Sequence, residues 1–357
     1  MIEVSEFRPN WASAPGDTIA DVLEEKRISV ASFSKRIGFS VDEAKDLLAG
    51  KVAITLALAR KLQLELGSSA EFWMSRDFGY RSTVARLNDA ESRDWLTELP
   101  VGDMVRFKWM PPVSPSQELT ACLRFFDVPD VAAWRQKYAA LQRSVAFRAS
   151  TSFESRAGAV AAWLRKGEIE AQPVRCKPWN PDAFSAGLVN VRKLTRQKNP
   201  AQFLTELCAL CASAGVAVVI VRAPNGCRAS GATYFLSDKK AVLQLSFRHL
   251  ADDQFWFSFF HEAGHLLLHG RDGFFLEGIS AAATLEEQQA NDFAERTLIP
   301  PEWRPKLLAL GKDSREIIKF ALKLGISPGI VVGQLQHHRR IKPNHLNALK
   351  RRFTWGE

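Results

Sequence analysis

Between residues 16 and 73, apolar positions recur at three- and four-residue spacings in short runs broken by glycine and small polar residues. GDTIADVLEEKRI predicts a first helix, with Asp17 or Thr18 as its N-cap. VASFSKRI is the second, and Gly38-Phe39-Ser40 is the turn that follows it. Ser40 caps a third helix, VDEAKDLLA, which stops at Gly50. TLALARKLQLEL ends at Gly67, and SAEFWMSRDF closes the unit. Short helices joined by a tight glycine-containing turn make a helix-turn-helix pattern. Trp73 and Phe72 at its end read as core residues.

Residues 74–110 read as a connector with a helix at about 89–98, and MPPVSPSQE as a loop. A helical stretch over 119–200 is anchored by Trp134, Tyr138, Trp163 and Leu164. From residue 201 the texture changes. A helix leads into three strand-like runs, VAVVIVR, GATYFLS and AVLQLSF, separated by turn signals at Pro224-Asn225-Gly226 and Ser237-Asp238. Helices follow at about 253–269 and, after a glycine-rich loop, at 284–297, where Pro300-Pro301 ends the second. Two more cover 313–324 and 327–337 before a basic tail, RRIKPNHLNALKRRF. The expected fold class is α+β and mostly helical. An all-α helix-turn-helix domain spans 1–86 and a helical connector 87–147. A domain with a small mixed sheet spans 148–300, and a helical extension 301–357.

Composition changes this picture little. The chain has 357 residues, 46% hydrophobic and 24% charged, which is enough for the cores of two or three domains. The N-terminus has no signal-peptide pattern and no apolar run reaches membrane-spanning length, so a cytoplasmic protein without membrane contact is expected. Five cysteines do not make a disulfide framework; Cys208 and Cys211 read as two core residues on one helix face. The net charge of +9 suggests nucleic acid or an acidic partner. Yet residues 1–86 hold twelve Lys/Arg and twelve Asp/Glu, so the excess lies outside the helix-turn-helix.

The decisive motif is His261-Glu262-Ala263-Gly264-His265, on an apolar helix. Residues four apart share a helix face, so both imidazoles reach one Zn2+ ion. Glu262 points to a neighbouring direction, where its carboxylate can hold a water and take its proton. A catalytic zinc needs a third protein ligand and an open position. The helix LEEQQANDFAERTLIP offers Glu287, with Glu286 as the fallback. Asn291, one turn after Glu287, can hydrogen-bond a ligating histidine, and His269, one turn after His265, is expected to support the ligands rather than join them. His249 reads as a surface loop residue, and His337, His338 and His345 as a C-terminal cluster. Tyr234 and His269 are the candidates for a second oxyanion stabiliser.

The run AVLQLSFRHLADDQFWFSFFHEAGHLLLHG, followed by EEQQANDFAERTLIP, resembles the ImmA/IrrE family of zinc metallopeptidases, as does the later GISPGIVVGQLQHH. The resemblance covers roughly 148–340 and implies a zincin-like domain. It places the zinc ligands on His261, His265 and Glu287 and the general base on Glu262. AVLQLSF looks like that family's edge strand, to which an extended peptide substrate could add. The N-terminal segment from Pro15 to Trp73 resembles an XRE-type helix-turn-helix of the kind found in HigA-like antitoxins, which implies autoregulation and a toxin partner.

In a helix-turn-helix the second helix of the pair enters the major groove. Here that helix carries three acids against one lysine, so its shape suits DNA better than its charge does. Lys35, Arg36, Ser40, Lys45 and Lys51 are the candidate DNA contacts, assisted by a homodimer or by the basic middle region. The expected function is a zinc-dependent peptidase coupled to a regulator that binds operator DNA or a partner. Its substrate would be a protein such as a repressor in a toxin–antitoxin, phage or stress-response locus. The alternative is a DNA-binding antitoxin or repressor whose metallopeptidase domain is structural or silent.

Overall fold

Each short helix near the N-terminus begins where a side chain can hold its free N–H groups. In the computed structural model, which describes residues 11–139, 141, 156–269, 275–276 and 285–355, α1 spans Pro15–Glu25. Its N-cap is Ala14, not Asp17 or Thr18: Pro15, lacking an N–H and preset in φ, starts the helix earlier than expected. Asp17 then accepts from the Ala14 N–H at 3.0 Å. Ser29 caps α2 (Val30–Ile37), Ser40 caps α3 (Val41–Leu48) and Thr55 caps α4 (Leu56–Leu66). Gly38 takes φ 73°, a left-handed conformation that ends α2 and lets α3 begin three residues later, at Val41. Gly16 lies against the Leu48 carbonyl, where an added Cβ would sit 1.8 Å from the oxygen, so α1 crosses the end of α3 at backbone contact.

The core beneath these helices includes Ile19, Phe33, Ile37, Leu47, Leu62 and Trp73. Trp73 is buried and its indole donates to the Gly67 carbonyl at 3.0 Å, whereas Phe72 beside it is exposed. The segment read as a closing helix, a connector and a further helix is one helix, α5 (Ala70–Glu98). It contains no proline, and an i,i+4 ion pair between Asp77 and Arg81 at 2.8 Å supports its middle. The chain divides into two compact units, Met1–Trp95 and Leu96–Glu357.

The second unit opens with α6 (Val101–Arg106), α7 (Glu118–Phe126) and α8 (Val131–Lys137), where the Phe126 ring meets those of Trp134 and Tyr138 edge to face. Next come α9 (Ala157–Ala171), α10 (Pro181–Leu194) and α11 (Pro200–Ala212). The sheet is small and mixed, in the order β1-β3-β2-β4. β1 (Val216–Ile220) runs parallel to β3 (Lys240–Leu245), and β2 (Gly231–Ser237) pairs antiparallel with β3 on its other side. β4 (Phe275–Leu276) pairs with β2.

This order corrects one expectation. AVLQLSF is not an edge strand: β3 is paired on both sides, so no peptide can add to it. Its residues 241–245 are all buried, as a central strand requires. On the α9 side, Gln244 donates to the Trp163 carbonyl at 2.7 Å, and the Trp163 indole donates to Val221 at 2.8 Å.

Below the sheet lie α12 (Asp252–Leu268), α13 (Leu285–Leu298), α14 (Arg304–Leu308), α15 (Ser314–Leu324) and α16 (Pro328–His337). Ile317, Phe320, Val331 and Leu335, from the segment set apart as an extension, share one core with Phe259, Phe260 and Leu298. Gly329 and Gly333 bring α16 against Asp252 and Asp253 at the start of α12. Most of the glycine-rich loop between α12 and α13 lies outside the described residues. No described helix is long and apolar enough to cross a membrane. The result is a mostly helical α+β protein with a small mixed sheet.

Candidate metal centre

Helix α12 is apolar on several faces and packs on β2, β3, α13 and α16. One stripe recurs every fourth residue, Asp253, Phe257, His261 and His265, and beside it runs a second, Gln254, Ser258 and Glu262. His261 is 1% and His265 0% exposed. Burying two imidazoles costs free energy unless their nitrogens find partners. The His261 Nε2 and His265 Nε2 atoms lie 3.0 Å apart. Glu287, in the first turn of α13, places its carboxylate oxygens 3.3 Å from His261 Nε2 and 3.6 Å from His265 Nε2. One ligand atom from each of the three residues falls within 4.8 Å of the others. The fallback Glu286 is exposed and stands outside this group.

The outer nitrogens define the tautomers. His261 Nδ1 lies 3.0 Å from Asn291 Oδ1, so that nitrogen carries the proton. His269 Nε2 lies 2.9 Å from Gln289 Oε1 and donates to it; its Nδ1 therefore accepts, and His265 Nδ1, at 3.0 Å, donates. With neutral rings, both Nε2 atoms are left with lone pairs directed at the same place as the Glu287 carboxylate. Three lone-pair donors at mutual separations of 3.0–3.6 Å fit a divalent ion, since tetrahedral ligands at zinc distances stand about 3.4 Å apart. Burial, then the neighbouring His261, pushes the His265 pKa down to about 3 against the pull of Glu287, which keeps its lone pair available.

Glu262 is fully buried and faces the start of β2. A Cβ built on Gly231 would stand 2.5 Å from its Oε1, so only glycine leaves that carboxylate its place. Gly264, inside the motif, plays a similar part between helices: an added Cβ would meet Phe293 at 3.1 Å and the Ala290 Cα at 3.2 Å. That close approach brings α13, and hence Glu287 and Asn291, beside the histidines. Gly231, Gly264 and Gln289 were not singled out from the sequence. An isolated glycine inside a helix or at a strand end is the available signal for the first two. Gln289 carries none.

Other candidates lie elsewhere. Tyr234 donates to Gln244 at 3.1 Å on the α9 side of the sheet and is not part of this site. His249 is an exposed residue between β3 and α12. His337 and His338 gather instead around Glu295, without His345. Cys208 and Cys211 are unbridged, and burial raises both thiol pKa values.

In the N-terminal unit, Ser40 accepts from the Glu43 N–H at 3.2 Å and Glu43 accepts from the Ser40 N–H at 2.7 Å, a reciprocal cap of α3. Lys45 pairs with Asp42 at 3.2 Å, Lys51 with Asp46 at 2.9 Å, and Arg36 with Glu65 at 3.5 Å. Lys35 is exposed.

The fold and this constellation define a metallopeptidase-like domain joined to a helix-turn-helix. Residues 216–335 match the family model described as the IrrE N-terminal-like domain of the M78 peptidases. At its N-terminal end the chain is 36% identical over 61 residues to the uncharacterized HTH-type transcriptional regulator YddM of Escherichia coli (strain K12). That stretch is 17% of this chain and spans about 65% of the length of the curated relative.

Proposed function

We propose that this chain is a cytoplasmic, zinc-dependent peptidase under the control of a helix-turn-helix regulator. It cleaves a partner protein such as a repressor in a toxin–antitoxin, phage or stress-response locus. The observation that carries the reading is the convergence of His261, His265 and Glu287 beside a buried Glu262 that no purely structural metal site needs. His261, His265 and Glu287 hold the ion, with Asn291 and the His269–Gln289 pair fixing the rings. A zinc ion there supplies Lewis-acid polarisation of a peptide carbonyl and acidifies water. Glu262 takes the water's proton and returns it to the leaving amine. An extended substrate, excluded from β3, would add to an outer strand of the sheet, which among the described residues is β1 or β4.

The helix-turn-helix gives the rival reading its support, because its relative is named a transcriptional regulator. In that reading the chain represses transcription and the metal domain is silent. Replacing Glu262 with Gln separates the two. Proteins encoded beside the gene are incubated with zinc-loaded wild type or with Glu262→Gln, and new N-termini are sequenced. Cleavage by wild type, lowered by at least about a hundredfold in a variant that still holds zinc, is expected. Equal processing by both proteins would end the peptidase reading.

A further inference from the structure

A second group of metal-ligating side chains lies at the far end of the helix that supplies Glu287. Glu287, Asn291 and Glu295 follow one another at four-residue intervals along one face of α13. Glu295 is therefore about 12 Å along the axis from Glu287. Glu295 is 8% exposed, and His337 and His338, at the end of α16, close on its carboxylate. His337 Nε2 lies 3.5 Å from Glu295 Oε1 and His338 Nε2 lies 3.6 Å from Oε2. These separations exceed an ordinary hydrogen bond. They match those between histidine and Glu287 at the first site, 3.3 and 3.6 Å, and the spacing of about 3.4 Å between ligands of one tetrahedral ion.

We propose that Glu295, His337 and His338 form a second site for a divalent transition-metal ion of the zinc class. Two imidazoles and one carboxylate suit Zn2+, and Ni2+ or Cu2+ by the general order of affinities. The site is open, since the His337 side chain is 67% exposed, so it exchanges its ion with solvent more readily than the buried pair does. Arg304, whose side chain is 46% exposed, places Nη1 3.1 Å from Glu295 Oε2 and is the counter-charge that an incoming cation displaces. His337 also lines a cavity of about 200 Å³, whose wall includes Phe257 and Asn291; Asn291 in turn holds His261. One residue of each group's surroundings, Asn291 beside His261 and His337 beside Glu295, thus lines the same cavity. The inference stands on these residues alone and does not require the chain to be a peptidase.

Full-length protein is equilibrated in zinc-buffered solution and its metal content measured by elemental analysis. Two equivalents are expected for wild type, one for His337→Ala, and one for the double variant His261→Ala/His265→Ala. Glu295→Gln, nearly isosteric, should weaken the second equivalent by more than about tenfold, and Arg304→Ala should tighten it. One equivalent in wild type, unchanged in His337→Ala and lost in the double variant, would overturn the second site and leave the first intact. Two equivalents in His337→Ala would place the second ion elsewhere. A second equivalent indifferent to Glu295→Gln would reduce the site to a surface histidine pair. Because His337 is exposed, the comparison of wild type with His337→Ala survives even if a buried variant fails to fold.

Discussion

Helices α3 and α12 are the two elements on which a functional reading of this chain depends, and they differ in how their polar groups are used. On α3 the charged residues face outward and answer one another: Lys45 is paired with Asp42, Lys51 with Asp46, and Glu43 is bound back to Ser40. On α12 the polar groups are buried and turned toward shared points, with His261 and His265 at Glu287 and Glu262 against Gly231. The first helix has the shape of a recognition element while its surface neutralises its own charge. The second has a geometry that few arrangements other than ion binding would reward, because two buried imidazoles with facing lone pairs are costly otherwise. Shape alone therefore leaves function open in the N-terminal unit, while converging chemistry narrows it in the C-terminal one.

The largest effect should come from crowding the buried carboxylate. Gly231→Ala places a methyl group 2.5 Å from the present Glu262 Oε1, so the carboxylate must move by about 1 Å. A displacement of that size costs on the order of a hundredfold in rate. The three ligands are untouched. If the chain is the zinc peptidase proposed above, its activity should fall by that factor while zinc content stays at the wild-type level. Full activity in the alanine variant would mean that Glu262 works from some other position.

Asn291→Ala should act next most strongly, and on the metal rather than on turnover. It removes the acceptor that holds the proton on His261 Nδ1, so either nitrogen of that ring can then carry it. Loss of such a support commonly weakens binding 10–100-fold. Competition with a zinc chelator reads this directly. An unchanged affinity would show that packing against Phe257 is enough to orient the ring.

What could be read beforehand follows the same division. The histidine pair, Glu287 and the support from Asn291 are spaced by helix geometry, and a four-residue interval means the same thing in a sequence as in a structure. The helices of 30–37 and 41–48 were legible because Ser29, Gly38 and Ser40 mark their ends by local chemistry. Strand order was not legible. β3 lies between β1 and β2 through pairs 25 residues apart in sequence on the β1 side, such as Val216 with Ala241, and nothing within AVLQL announces which strands flank it. The continuity of α5 was hidden for a different reason: its polar face has no apolar stripe to announce it. The pairing of Lys45 and Lys51 with nearby acids depends on rotamers, which the sequence does not display.

If the helix-turn-helix meets DNA, its own acids should be what limits it. The double substitution Asp42→Asn and Asp46→Asn releases Lys45 and Lys51 from their present partners without altering their reach. Each cation then free to contact a phosphate adds about 0.9 to the slope of log affinity against log salt. Binding of the full-length protein to its upstream DNA should tighten at low salt, with a slope steeper by up to about 1.8. A slope equal to that of wild type would mean that neither lysine faces phosphate. The resemblance between α3 and a recognition helix would then be one of shape only.

The smallest effect concerns the acid that α3 keeps for itself. Its hydrogen bonds to Ser40, the backbone one foremost, hold the Glu43 pKa below its usual value of 4.5. A carboxylate whose pKa is lower in the folded state stabilises the fold fully above the unfolded value and loses that contribution as pH falls through the folded one. Glu43→Gln should therefore melt below wild type at neutral pH, and the two melting curves should converge as the solution is acidified below about pH 4. Ser40→Ala, which removes the other half of the cap, should cost about 0.5–2 kcal/mol at neutral pH. It should also shrink the pH-dependent part, since Ser40 is the residue that fixes the carboxylate in place. A gap between wild type and Glu43→Gln that stays constant down to acid pH would show that the charge on Glu43 is not what caps the helix, and would leave it available to face a cytosine amino group in the major groove.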